Sequence, residues 1–388
     1  MSEIIYMDNA GSTRVRQEVI DEMMPQLNEE YANPSSMYSI ARKSMARIDD
    51  ARAKIATAIG AQPREIFFTG SGTEANNWAI QCIANANSGK GKHIITSSIE
   101  HPAVLKTCGH LEDIGFEVTY LPVSSEGLVS PQSLSDAIRP DTVLVTIMFA
   151  NNEVGTVQPI AELGKIARDN GTYFHTDAIQ AVGHIPIDVE KQNIDLLSLS
   201  GHKFYAPKGV GALYIRKDVK ICSLLYGGGH ERGLRASTHN APGIVALGKA
   251  AELAVQELAD ETERVTRLRD RLIDGILSQI EHTSLNGCQN SRVPGIINIS
   301  FEYVEGESLL LLLDHKGIFA SSGSACASGS LNPSHVLTAM GLTHEKAHGS
   351  LRLSLGRYNT EAEIDAVIAE LVPMVKRLRE MSPTYPRS

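Results

Sequence analysis

The chain has 388 residues, of which 42% are hydrophobic and 21% are charged, and its formal net charge is −9. This composition is that of a globular protein with a substantial core, and the negative charge argues against general nucleic-acid binding. No apolar run is long enough to cross a membrane, and the first residues lack the features of a secretion signal. The five cysteines are scattered without a CxxC pair, which suits the reducing cytoplasm and predicts neither a disulfide framework nor a metal site.

The first part of the chain predicts an extended arm followed by two helices. The arm covers residues 1–14, and helical patterns cover 15–27 and 37–60. The sequence YANPSS between the two patterns supplies turn residues, and Ser35 or Ser36 is expected to cap the second helix.

From residue 66 to about 216, short apolar strands alternate with helical patterns. The strands are IFFT, HIITSS, FEVTYLPV, VLVTIMFA, YFHTDA, IDLLSLS and GALYIR, and the helices are 73–87, 102–114, 131–138 and 159–170. This alternation predicts an α/β fold with a largely parallel sheet.

The polar residues that follow these strands are expected to meet at one place. Ligands of such sheets bind beyond the carboxyl ends of the strands. The residues at those positions are Ser71–Thr73, Glu100–His101, Asn151–Asn152, Asp177–Gln180 and Ser200–Lys203. A single site at one sheet edge explains all five loops.

The last part of the chain predicts a second, smaller unit. A long helical pattern at about 242–281 is expected to lead into it. The unit contains the strand IINISF, the apolar helix ESLLLLLDHKG, the Ser/Gly-rich stretch 321–330, a helix at 333–340, the strand SLRLSLG and a terminal amphipathic helix.

The segment SLSGHKFYAPKGVGALYIR, residues 198–216, has the pattern of strand, turn and strand, with Lys203 in the turn. A lysine amine can form a Schiff base with pyridoxal phosphate (PLP). Upstream, Asp177 ends a strand, and Gly72 and Thr73 open a helix after a glycine turn. PLP needs these three parts, because its phosphate requires an anion cradle, its ring nitrogen a carboxylate and its aldehyde a lysine.

Taken together, nine segments closely resemble the cysteine desulfurases of the IscS/NifS type. They are NPSS (33–36), TGSGTEANN (69–77), EHPAVL (100–105), ANNEVGTVQP (150–159), HTDAIQAVG (175–183), SGHKFYAPKGVG (200–211), GGGHERGLRAST (227–238), SSGSACASGS (321–330) and SLRLSLGRYNT (350–360). The resemblance runs over almost the full length. The chain departs from the family in DNAGST at 8–13, where the family usually reads DNAATT, and in a short C-terminal tail.

The resemblance implies the PLP-dependent transferase fold of the aspartate-aminotransferase type I, with a mainly parallel seven-stranded sheet and a smaller α+β C-terminal domain. The expected large PLP-binding domain covers residues 15–257. The expected small domain combines residues 1–14 with 258–388 and carries a mobile cysteine loop at 321–330.

The resemblance also assigns roles to individual residues. Lys203, Cys326 and His101 are expected to be catalytic, with His101 stacking on the cofactor ring. The expected cofactor-binding residues are Gly72, Thr73, Asn152, Asp177, Gln180, Ser200, His202, Lys203 and Thr238. Thr238 would come from the second subunit of a homodimer. Asn152 and Arg352 are expected to bind the substrate, with the Arg352 guanidinium pairing with its carboxylate.

Four of these residues also have a purely structural interpretation. Thr73 could cap its helix, Asp177 could cap a neighbouring helix, His101 could be structural, and Arg352 could form a structural salt bridge. Cys326 is different, because it lies among Ser, Gly and Ala, which is typical of a flexible loop, and an exposed thiol there suits a nucleophile. The other four cysteines fit the role of small apolar fillers.

The sequence thus predicts a cytoplasmic, homodimeric, PLP-dependent cysteine desulfurase that converts L-cysteine to L-alanine and leaves a persulfide on Cys326. The persulfide would pass to an acceptor, by resemblance an iron–sulfur scaffold protein or a tRNA-thiolation partner. The alternatives are a selenocysteine lyase or a related lyase of the same fold, an aminotransferase of this fold, and a scaffold protein without activity. Neither DNA nor a membrane is an expected partner.

Overall fold

The computed structural model describes residues 4–322, 333–383 and 385–386. The strands are β1 (Ile5–Tyr6), β2 (Ile66–Thr69), β3 (His93–Ser97), β4 (Glu117–Leu121), β5 (Thr142–Thr146), β6 (Tyr173–Asp177), β7 (Leu196–Ser200), β8 (Gly211–Ile215), β9 (Thr283–Leu285), β10 (Ile296–Phe301), β11 (Ile318–Phe319) and β12 (Ser350–Ser354). The helices are α1 (Gln17–Asn28), α2 (Ser39–Ile59), α3 (Gly72–Ala86), α4 (Pro102–Asp113), α5 (Pro131–Ala137), α6 (Ile160–Asp169), α7 (Ala241–Gln279), α8 (Gly306–His315), α9 (His335–Ala339), α10 (His344–His348) and α11 (Glu361–Met381).

Within the described residues, the main sheet has seven strands in the order β2-β8-β7-β6-β5-β3-β4. The five strands from β7 to β4 run parallel, whereas β8 is antiparallel to both of its neighbours. The central strands are buried on both faces, which explains their nearly continuous apolar sequences. The predicted mainly parallel, seven-stranded α/β fold is confirmed.

Helices cover both faces of this sheet. One core cluster joins the sheet to α2 and the first half of α7, and another joins the opposite face to α3 and α4. A Cβ atom on Gly248 of α7 would lie 2.5 Å from the Cα atom of Ala51 on α2. A side chain at residue 248 would therefore push the two helices apart.

A separate core cluster lies in the C-terminal part of the chain. It joins the second half of α7, the three-stranded sheet β12-β10-β9, α8 and α11, and it includes Met7 from the arm. The arm also pairs with this part directly, since β1 lies parallel to β11. The expected boundary near residue 257 falls inside α7, and the division into two domains stays a prediction.

Two local expectations were wrong in detail. Helix α2 begins at Ser39 with Tyr38 as its N-cap residue and no capping side chain, so neither Ser35 nor Ser36 caps it. Helix α3 begins at Gly72, and its N-cap is Ser71, whose Oγ accepts a hydrogen bond from the Glu74 amide at 3.1 Å. The cap interpretation of Thr73 is therefore wrong.

Candidate active site

A cavity of about 320 Å³ lies beyond the carboxyl ends of the parallel strands. It is lined by Ala10, Gly11, Ser71, Gly72, Thr73, His101, Met148, Ala150, Asn152, Asp177, Ile179, Gln180, Ser200, His202, Lys203 and Arg352. The structure thus brings together every expected site residue except Thr238 and Cys326. Thr238 is exposed and is not among the described residues that line the cavity. Cys326 lies outside the described residues.

Lys203 reaches the cavity from a short 3₁₀ turn, Gly201–Lys203, that follows β7 directly. A Cβ atom on Gly201 would lie 3.0 Å from both Ala206 Cβ and Leu247 Cδ1, so glycine permits this tight turn. The Lys203 Nζ donates hydrogen bonds to the carbonyls of Ala10 and Gly11, each at 2.7 Å. The N-terminal arm therefore forms the wall that holds the amine.

The N-terminus of α3 forms another wall of the cavity. A Cβ atom on Gly72 would lie 2.2 Å from Ile179 Cδ1 and 3.2 Å from Ser200 Cβ, so a larger residue would require Ile179 to move. The first amides of a helix favour anions, because they carry the positive end of the helix dipole. With the exposed Thr73 hydroxyl beside them, they can hold a phosphate group.

Asp177 ends β6 and is only 4% exposed. Its Oδ2 accepts a hydrogen bond from Asn76 Nδ2 at 2.6 Å, and its Oδ1 accepts one from the Ile179 amide at 3.0 Å. Burial raises the pKa of this carboxyl, while the charges of His101 and Lys203 act in the opposite direction. A buried carboxylate of this kind is best stabilised by a cationic N–H group.

His101 is the N-cap residue of α4, since its Nδ1 accepts a hydrogen bond from the Ala103 amide at 3.0 Å. Burial lowers the pKa of the imidazole, with Asp177 acting in the opposite direction. In the neutral ring the proton is therefore on Nε2, and this atom is a donor. His101 therefore has a structural role as a helix cap, and its ring also lines the cavity.

Two further expected residues contact the arm. Gln180 donates from Nε2 to the Ala10 carbonyl at 3.0 Å, which also accepts from Lys203. His202 lies 3.3 Å from the Ser12 hydroxyl through Nδ1, and burial lowers its pKa to about 4. The Gln180 amide carries no charge and the His202 ring is neutral at pH 7, and both side chains line the cavity as hydrogen-bonding groups.

Arg352 lies on β12 and is 3% exposed. It donates from Nη2 to Asp8 Oδ1 at 2.8 Å and from Nη1 to the Asn152 carbonyl at 2.9 Å. Its Nε has no hydrogen-bond partner among the described residues. Arg352 therefore forms the salt bridge that its structural interpretation expects, and it also lines the cavity, where its role toward a substrate stays a prediction.

Sequence reasoning assigned no role to three buried side chains around the cavity. Asn76 donates a hydrogen bond to Asp177. Its position on α3, four residues after Gly72, is the sequence feature that could have indicated a side chain near the site. Glu100 accepts hydrogen bonds from the Ser97 hydroxyl at 2.5 Å and the Met148 amide at 2.9 Å. Glu153 accepts a hydrogen bond from the Ser334 hydroxyl.

No metal site is evident in the part of the chain that the structure describes, where no three His, Cys, Asp or Glu side chains are grouped to hold an ion. Nor is any helix among those residues both long and apolar enough to span a membrane. The cavity instead combines an anion-binding helix terminus, a buried carboxylate, an amine and a guanidinium. This arrangement suits chemistry on an amino acid held by an anionic carbonyl cofactor.

Comparison with known proteins agrees with this chemistry. The model of the class-V aminotransferase family matches residues 5–367. A protein named cysteine desulfurase IscS from Methanosarcina thermophila is 59% identical over 386 residues, which cover 100% of this chain and 95% of the relative. A protein of the same name from Clostridium botulinum is 54% identical over 387 residues, covering 99% of this chain and 98% of the relative.

Solved structures give the same result. A NifS-like protein superposes with a TM-score of 0.91 at 39% identity, covering 97% of this chain and 100% of the other. A structure described as SspA in complex with cysteine has a TM-score of 0.82 at 41% identity, covering 92% of this chain and 100% of the other. The chain therefore belongs to the class-V aminotransferase family and, within it, to the cysteine desulfurases.

Proposed function

We propose that this chain removes the sulfur atom from L-cysteine with PLP bound in the cavity through Lys203. The products are L-alanine and a persulfide on Cys326, so the Cys326 thiol gains the sulfur atom that cysteine loses. The observation that carries the proposal is that Lys203, Asp177, the α3 N-terminus and Arg352 line one cavity. The similar structure of SspA in complex with cysteine supports L-cysteine as the substrate.

The residues present fit PLP. The α3 amides, Thr73, Ser200 and His202 would hold the phosphate, Asp177 would pair with the ring nitrogen, and Gln180 would donate to the ring oxygen. The raised pKa of Asp177 marks a buried carboxylate that a protonated ring nitrogen would stabilise. When bound, PLP stabilises negative charge on the substrate Cα atom.

Lys203 and Arg352 would act on opposite ends of the substrate. The Lys203 amine would remove the proton from Cα, and the carbonyls of Ala10 and Gly11 hold the amine at the wall of the cavity. Arg352, which lines the cavity, would bind the substrate carboxylate through its guanidinium N–H groups. The His101 Nε2–H group would donate a hydrogen bond at the cavity wall, beside Asn152.

Sulfur acceptance by Cys326 rests on the sequence alone. A thiolate near the substrate would attack the cysteine sulfur, and a persulfide can later be collected by another thiol. Relatives named IscS support delivery to an iron–sulfur scaffold protein or another sulfur acceptor. The homodimer, with Thr238 reaching the partner's phosphate site, and the cytoplasmic location are part of the same proposal.

The alternative selenocysteine lyase is not favoured, because the full-length relatives described above carry the name cysteine desulfurase. An intact Lys203, Asp177 and Arg352 in one cavity also argue against a scaffold protein without activity.

Borohydride reduction of the yellow holoenzyme tests the central assignment. Reduction should fix the cofactor covalently, and peptide mapping should find it on Lys203. Lys203→Ala should abolish turnover, whereas Lys208→Ala, an exposed lysine five residues further on, should not. Cofactor fixed on any lysine other than Lys203, or a colourless protein that takes up no PLP, would contradict the proposal.

A further inference from the structure

The backbone of the lysine turn is held from behind by a histidine that the family motifs do not include. His184 Nε2 lies 2.9 Å from the carbonyl oxygen of Lys203. Because a carbonyl only accepts hydrogen bonds, Nε2 must carry the ring proton. Burial lowers the pKa of His184, with the Lys203 carbonyl and Glu261 acting in the opposite direction. The ring is therefore neutral at pH 7 with its donor directed at Lys203.

His184 is placed there by the turn that follows β6. Gly183 has a φ of +81°, and a Cβ atom on it would lie 2.7 Å from Phe204 Cβ. Glycine thus lets residues 183–184 pack directly against the residue after Lys203. The carbonyl of His184 accepts a hydrogen bond from the Thr262 hydroxyl on α7 at 3.3 Å, which ties the turn to that helix.

This contact lies on the other side of the lysine turn from the active-site cavity. His184 lines a separate small cavity of about 40 Å³, together with Tyr205, Thr262 and Arg357. Lys203 lines the 320 Å³ cavity, where its Nζ meets the arm. The carbonyl and the amine of the same residue are therefore held by different parts of the molecule.

We propose that His184 is a positioning residue for Lys203. Its Nε2–H group fixes the peptide unit from which the lysine side chain extends, so the amine keeps its direction toward the substrate Cα proton. The inference rests on the proposed role of Lys203 as the base. Without the donor, the carbonyl of Lys203 loses this partner, and the turn can rotate to find another.

The test uses His184→Phe, which keeps a ring without a donor, and His184→Gln, whose amide nitrogen can donate from near the Nε2 position. Thr262→Val is the matched control, because it removes a hydrogen bond from the same residue and leaves the contact with Lys203. The first readout is exchange of the Cα hydrogen of L-alanine with deuterium from solvent, which needs the lysine and not Cys326. The second readout is the pH at the midpoint of the change in visible absorbance of the holoenzyme. The thermal unfolding midpoint of each variant is measured as well, to detect a loss of stability.

His184→Phe should slow exchange by about tenfold, the loss expected from one net hydrogen bond, with little change in the KM for cysteine. The pH midpoint of the absorbance should also shift. His184→Gln should bring both the exchange rate and this midpoint most of the way back to the wild-type values. If His184→Phe does not fold, His184→Asn replaces it as the variant without a donor, because the asparagine amide is too short to reach the Lys203 carbonyl. It is then compared with His184→Gln. Equal exchange in the donor and donor-free variants, or an equal loss in Thr262→Val, would overturn the inference. If the wild type itself exchanges no hydrogen, the proposed function is wrong instead.

Discussion

The Arg352 guanidinium, which lines the active-site cavity, forms an ion pair with the Asp8 carboxylate of the arm, with Nη2 and Oδ1 2.8 Å apart. The arginine side chain is 4% exposed and the aspartate side chain 27%. A substrate carboxylate that reaches Arg352 therefore meets a neighbouring negative charge. The arm that carries Asp8 also carries the carbonyls that accept hydrogen bonds from Lys203, so one segment contacts both Arg352 and Lys203.

Arg352→Ala should raise the KM for cysteine by roughly 100-fold, because about 1.5–3 kcal/mol is lost for each charge-assisted hydrogen bond. The resting spectrum of bound PLP should change little. Arg352→Lys should restore binding only in part, since an ammonium group cannot reproduce the planar fork. Steady-state kinetics and absorbance titration check this. Loss of PLP without a defect in substrate binding would show that Arg352 is structural.

Asp8→Asn should have the opposite effect on substrate affinity. The amide oxygen can still accept from Arg352, but the competing charge is gone. We expect the Kd of L-alanine to fall about two- to fivefold, the range for a partly exposed ion pair. A rise in Kd of similar size would mean that Asp8 orients the guanidinium for the substrate. Asp21→Asn is the control, because it removes one negative charge at an exposed position of α1 and should leave the Kd unchanged.

Thr238→Ala should weaken PLP retention if the exposed threonine reaches the phosphate of the partner subunit. Loss of one hydrogen bond to a charged group, about 1.5–3 kcal/mol, predicts a roughly 10- to 150-fold rise in the PLP dissociation constant. Ser237→Ala, in the same exposed segment, should have no such effect. Unchanged PLP affinity, or a monomer with full activity, would contradict the shared site.

Cys326→Ser should bind PLP normally and still exchange the Cα hydrogen of L-alanine, but it should form no persulfide and release almost no sulfide. Mass spectrometry after a pulse of cysteine should find the added sulfur on Cys326 in the parent enzyme. Cys222→Ser is the control, because Cys222 is the most exposed of the four described cysteines. Sulfur transfer by the serine variant at the parental rate would show that a lyase mechanism that does not need Cys326 operates.

Glu100 should make the protein less stable as the pH rises. Its side chain is fully buried, its Oε2 has no hydrogen-bond partner among the described residues, and burial raises its pKa from 4.5 to about 8. Between these values the folded state binds more protons than the unfolded state, so the free energy of unfolding falls with rising pH.

Glu100→Gln removes this titration and keeps an acceptor oxygen for Ser97 and Met148. We expect denaturant unfolding at about pH 5 and about pH 9 to show that the free energy of unfolding of the variant increases relative to that of the parent as the pH rises. A stability difference that is the same at both pH values would mean that Glu100 ionises normally in the folded protein.

Much of the fold could be predicted because its signals are local. Apolar strands that alternate with helical patterns predicted the parallel sheet, and the loops after the strands contain eleven of the residues that line the cavity. Helix starts were less certain, because α2 begins at Ser39 without a side-chain cap and its start depends on packing instead. The short strands β9 and β11 and the helix α10 were not predicted, because elements of two to five residues are too short to show a periodic pattern.

The parts of the site that escaped prediction depend on contacts between distant residues. Asp8 and Arg352 are 344 residues apart in the chain, and Lys203 is 193 residues from Ala10 and 192 from Gly11. The hydrogen bond of His184 to Lys203 joins two loops whose register only the folded sheet defines. No periodicity or motif in one sequence reports such pairs.

The pairing of β1 with β11 has a consequence for the order of events at the ribosome. Ile5 and Tyr6 are translated first, but their partners Ile318 and Phe319 emerge only near the end of synthesis. The nascent chain must therefore carry its leading strand unpaired through most of translation, although the main sheet can already assemble. Lys203 then acquires its complete surroundings late, when the C-terminal part of the chain binds the arm, so a chain that stops before β11 would lack the pairing that holds this wall of the cavity in place.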